Sequence, residues 1–64
     1  MRKGDTILEG QYGTKLEILS HVSSKGIATV KVLQPGTMIQ GLKKGGVERD
    51  FNVQYGLLQF EVLE

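Results

Sequence analysis

The chain has no cysteine, no tryptophan, one proline and one histidine in 64 residues. Each scarcity excludes something. Without cysteine there is no disulfide and no thiolate metal site, which fits a reducing, cytoplasmic setting. With His21 alone, no His/Cys cluster has metal-ligand spacing, and no metal or other cofactor is expected. No apolar run approaches the roughly 20 residues a bilayer-crossing helix needs, so no membrane association is expected. The apolar stretch after Met1-Arg2-Lys3-Gly4-Asp5 is too short for a signal peptide. The two signs of charge nearly cancel. The formal net charge is +1, which gives no steer toward a strongly charged partner.

Glycine, in contrast, is abundant, at 9 residues. Glycines and β-branched residues interrupt every window in which an i, i+3, i+4 stripe could begin, so no helix is predicted. One segment occurs almost twice. Gln11-Tyr12-Gly13 leads into Leu16-Glu17-Ile18-Leu19, and Gln54-Tyr55-Gly56 leads into Phe60-Glu61-Val62-Leu63. Each is a turn followed by an alternating strand, which marks the chain as all-β and suggests kinship with a repeating β-unit.

Period-two alternation places the strands. Thr6 to Leu8 is the first. Lys15 to Val22 is the second, with Leu16 and Ile18 on one face and Lys15, Glu17 and Leu19 on the other. Ser23-Ser24-Lys25-Gly26 is a hairpin loop, and Ile27 to Leu33 returns with Ala28, Val30 and Val32 on one face. Gln34-Pro35-Gly36-Thr37 has the residues of a type II turn. Met38-Ile39 is a possible further short strand, and Val47 to Val53 and Leu57 to Leu63 are the last two. Residues 1–64 thus read as one small β domain. Five or six strands joined by glycine turns imply an SH3-like or OB-like barrel, or a curved antiparallel sheet. At this length the core is near the minimum for independent folding, which favours self-association. Leu57, Leu58 and Leu63 make the final strand apolar on both faces and nominate it as a homodimer or partner surface.

Catalytic chemistry finds little support. Ser20 and His21 are adjacent, but neighbouring strand residues point to opposite faces, so they do not form a nucleophile–base pair. The reading is therefore of a non-enzyme. The best polar constellation is Lys43-Lys44-Gly45-Gly46. Consecutive glycine amides can converge on an anion, and two lysines add charge. Residues 25–49 carry Lys25, Lys31, Lys43, Lys44 and Arg49 against Glu48 alone, a basic middle. Tyr12 and Tyr55 precede the matching glycines and are candidates for stacking on bases, or for packing over their own turns.

Three segments carry a family resemblance. They are Tyr12-Gly13-Thr14-Lys15-Leu16-Glu17-Ile18-Leu19, then Ala28-Thr29-Val30-Lys31-Val32, then Leu42-Lys43-Lys44-Gly45-Gly46-Val47-Glu48-Arg49. In order and spacing they resemble the short phage β-repeats that accompany HNH-type homing endonucleases, which are similar to AP2-like DNA-binding sheets. The chain departs from that pattern at Leu33-Gln34-Pro35-Gly36 and Asp50-Phe51. The resemblance implies that Lys15, Lys31, Lys43, Lys44 and Arg49 are the positions that meet phosphate.

The sequence-level expectation is a phage-like β-domain that binds DNA or RNA through phosphate contacts. The alternatives are a protein-binding module or inhibitor acting on a host protein, and a small oligomer that holds a phosphorylated small ligand.

Overall fold

The alternation resolves into five antiparallel strands in one sheet. The computed structural model describes residues 1–37, 41–53 and 59–63. The strands are β1 (Thr6–Glu9), β2 (Thr14–Ile18), β3 (Ile27–Gln34), β4 (Val47–Asn52) and β5 (Glu61–Val62). Their order across the sheet is β4-β3-β2-β1-β5. Four strands meander and the fifth returns beside the first. No helix occurs among the described residues, so the all-β expectation holds. The edges β4 and β5 do not pair, and the sheet is not closed. Of the expected forms it is therefore the curved antiparallel sheet rather than a closed barrel. Its radius of gyration is 10.2 Å, close to the about 11 Å expected for a folded chain of this length.

One face of the sheet makes the core. Ile7, Leu16, Ile18, Ala28, Val30, Val32 and Val53 are buried together, with Val22, Leu42, Phe51 and Phe60 packed against them. The predicted inward set Leu16, Ile18, Ala28, Val30 and Val32 is thus correct. Register explains the coherence. Ile7 pairs with Leu16, Leu16 with Val32, and Ile18 with Val30, so inward residues stand directly across from one another. Each large buried side chain contributes about 1.5–3 kcal/mol.

Two strands differ from the sequence reading by more than a residue. β2 ends at Ile18 rather than Val22. Leu19 still donates its N–H to the Thr29 carbonyl (2.8 Å). The next acceptor is a side chain, however, because the Ser20 hydroxyl accepts the Thr29 N–H at 2.8 Å. That substitution turns the chain out of the ladder. The final strand is Glu61–Val62 alone among the described residues, with Gln59 and Phe60 leading into it outside the ladder. Leu57, Leu58 and Tyr55, and the expected strand at Met38-Ile39, lie outside the described residues.

Two irregularities bend the sheet. Between β2 and β3 the register shifts so that Leu33 is an extra residue on β3. Between β3 and β4, Arg49 and Asp50 together oppose Thr29. Asp50 takes a φ of 56°, the left-handed region. Aspartate tolerates that conformation better than most residues, and such bulges sharpen local twist.

Candidate functional site

The polar features fall into a tightly built corner and a more open, charged face. The corner begins with Glu9. It follows Ile7 by two, so the strand period turns its carboxylate inward, and it is 3% exposed. One carboxylate oxygen accepts a short hydrogen bond from the Gln11 N–H, and the other accepts the Tyr12 N–H at 2.9 Å. Glu9 thereby satisfies two backbone donors of the β1–β2 turn. The Tyr12 carbonyl in turn accepts the Thr37 N–H at 3.1 Å. Thr14 is fully buried and its hydroxyl donates to the Pro35 carbonyl (3.4 Å). These bonds clamp the β1–β2 turn against the Pro35-Gly36 turn that follows β3. Gly36 has a positive φ of 67°, the left-handed region expected of the glycine in a Pro-Gly turn.

Tyr12 belongs to this corner. It is half-buried, and its hydroxyl accepts from Gln11 Nε2 at 3.2 Å. It stands on a turn and not on a strand face. Glu9 and Thr14 have no place among the sequence-level candidates. Their signal was available: both continue the inward phase of their strands.

The charged face is the side of the sheet away from the core. Lys15 pairs with Leu8 and with Gln34, out of phase with the buried residues, and so projects outward. Lys31 is exposed and stands between Glu17 and Val47 in the cross-strand row. Arg49 is exposed at the β4 bulge opposite Thr29. The fold therefore brings Lys15, Lys31 and Arg49 to one face of β2, β3 and β4, with Glu17 and Asp50 interspersed. Glu48 is directly opposite Val30 and so lies on the other face.

Lys43 and Lys44 sit exposed in the turn that leads into β4, at the end of the sheet where Lys15 lies. The adjoining glycines do not form an anion cradle. The Gly45 N–H donates to the Val32 carbonyl (2.7 Å) and the Gly46 N–H to the Lys43 carbonyl (2.9 Å). Both amides are committed to backbone, which corrects the sequence-level expectation for Gly45 and Gly46. The physical reason is that the β3–β4 connection needs those donors to close its own turn.

The remaining nominated residue is Leu63. It is 45% exposed, and its N–H donates to the Thr6 carbonyl at 2.7 Å. Val62 beside it is 48% exposed although it pairs with buried Ile7. No group of three or more His, Cys, Asp or Glu residues could hold a metal among the described residues. No helix among them is long and apolar enough to cross a membrane. No family model, no curated protein and no solved structure matches the chain.

Proposed function

We propose that this protein is a non-enzymatic binding domain whose β2–β4 face docks on a nucleic-acid backbone through phosphate contacts. The supporting observation is the gathering of Lys15, Lys31 and Arg49 on one face, with exposed Lys43 and Lys44 at its rim. Five cations stand there against Glu17 and Asp50, a surplus of three charges (5 − 2) in a chain whose net charge is only +1. Folding thus concentrates a positive field that the composition hides. Each lysine or arginine that meets a phosphate releases counterions, so affinity falls as salt rises.

The test is a salt titration of binding to unrelated duplexes and single strands. Replacing Lys43 and Lys44 together by alanine flattens the salt slope by about two units and weakens all sequences alike. Glu17→Ala, which removes a carboxylate beside Lys31, tightens binding. Glu48→Ala, on the opposite face, leaves it unchanged. No binding to any nucleic acid at low salt would sink this reading.

One observation favours a second reading, a protein-binding module or inhibitor that also pairs with itself. Val62 on the short edge strand β5 and Leu63 just after it are exposed, leaving apolar surface for a second copy or a host protein. Sedimentation at high micromolar concentration tests the self-pairing, since a dimer through β5 is lost in Leu63→Glu. A phosphorylated small ligand draws less support, because the glycine amides that would cradle it are occupied.

A further inference from the structure

Glu9 is the one charged side chain in the core among the described residues. Its two oxygens take the N–H groups of Gln11 and Tyr12, and no lysine or arginine among the described residues pairs with it. Two amide dipoles stabilise a carboxylate but do not neutralise it. Each carboxylate oxygen can accept two hydrogen bonds, and among the described residues each takes one. Glu9 also lines a cleft of about 330 Å³ with Gly10, Gln11 and Gln59. Gln11 spends its amide nitrogen on the Tyr12 hydroxyl, which leaves its Oε1 to accept. Gln59 brings a second exposed carboxamide. The cleft therefore offers acceptors and one negative charge.

That chemistry selects a cation rich in N–H donors. A bare metal ion is a poor match. Calcium takes six to eight oxygens and usually several carboxylates, and the described lining of the cleft supplies one. A guanidinium is planar, carries five N–H donors and pairs well with carboxylates. The volume is at the small end of ligand sites, which span about 300–1,000 Å³, and suits one side chain. Three residues beyond Gln59 comes exposed Val62, which pairs with Ile7 and so stands on the same face of the sheet as Glu9, an apolar side chain beside which the rest of a polypeptide could lie. We propose that the cleft between the β1–β2 turn and Gln59 binds an arginine side chain presented by a polypeptide partner. This does not depend on the nucleic-acid reading, which uses other residues.

The experiment is an NMR titration of the intact protein with N-acetyl-arginine amide. Saturable shifts are expected at the Gly10 and Gln11 amides and at the side-chain amides of Gln11 and Gln59. The citrulline derivative has the same length with a neutral urea, and should cause none. Gln59→Ala alters an exposed side chain outside the turn and should weaken binding about tenfold, the loss of one hydrogen bond to a charged group. Glu9→Gln, which keeps an acceptor for one turn amide, should abolish it. Free arginine separates the sources. If it saturates the cleft while the capped form does not, the site takes a free small molecule and the polypeptide assignment is wrong. No saturable shift with the capped arginine, or equal binding of citrulline, overturns the proposal outright.

Discussion

Two glycine turns cap the same end of the sheet, and they are built on opposite terms. Gly36 and Gly45 both hold left-handed backbone, with φ of 67° and 82°. Around Gly45 there is open space: an added Cβ would meet nothing within 4 Å. Around Gly36 the same atom would collide with the Thr14 hydroxyl and come within 2.8 Å of the Thr14 nitrogen and 2.9 Å of the Tyr12 carbonyl oxygen. One glycine is required for its dihedral alone. The other is required for its dihedral and for the absence of a side chain. A turn pressed against a buried threonine and the Tyr12 carbonyl holds structure, whereas a turn that ends in open solvent is free to carry Lys43 and Lys44.

The comparison is sharpest at Gly36→Ala. The left-handed alanine costs about 1–2 kcal/mol. Overpacking adds about 1–3 kcal/mol, because two of the three opposing atoms are backbone and cannot rotate away. A domain of this size has a total stability of about 3–10 kcal/mol. The variant should lose a large share of that in a urea melt, and a midpoint within error of the parent would show that the Pro35-Gly36 turn does not press on Thr14 and Tyr12. Glu9→Ala should follow, at about 2–3 kcal/mol, since it strips the acceptor from the N–H groups of Gln11 and Tyr12 inside a packed corner. A loss confined to a few tenths would mean that water replaces the carboxylate and that the corner is wet.

What the sequence disclosed follows from where local pattern controls structure. Leu16, Ile18, Ala28, Val30 and Val32 were legible because alternation on two central strands fixes their face without knowledge of their partners. The glycine of the Pro35-Gly36 turn was legible as a turn residue, but not as a close contact. Its neighbour Thr14 is 22 positions earlier in the chain and arrives through the β2–β3 register. Glu9 shows a different failure. Its phase pointed inward, yet a carboxylate is ordinarily assigned to solvent, and only the return of the turn amides makes burial affordable. The Lys43–Gly46 turn was read for its composition, and composition cannot reveal that its amides are already bonded to Val32 and Lys43. The outward placement of Lys15 and Lys31 did follow from phase, whereas the position of Arg49 depends on a bulge that no short-range signal announces.

The smallest effect belongs to the open turn, and it is the one that isolates the dihedral. Gly45→Ala should cost about 1–2 kcal/mol, the left-handed term with no steric addition. Gly45→Asn should cost less than Gly45→Ala, because asparagine adopts left-handed backbone more readily and its side chain has room there. At position 36 the order should reverse, since asparagine is larger than alanine and the obstruction is fixed backbone. The diagnostic is therefore the sign of the Asn-minus-Ala difference in melting midpoint at the two positions, which a general destabilisation would not split. If asparagine outperformed alanine at both, the dihedral would govern both turns and the crowding at Gly36 would have no energetic weight. If the signs differ, the corner is a packed joint and the lysine turn is a free arm. On the proposed nucleic-acid reading, asparagine at 45 should then leave the salt slope intact, because the amide that bonds to Val32 and the charges of Lys43 and Lys44 are both retained.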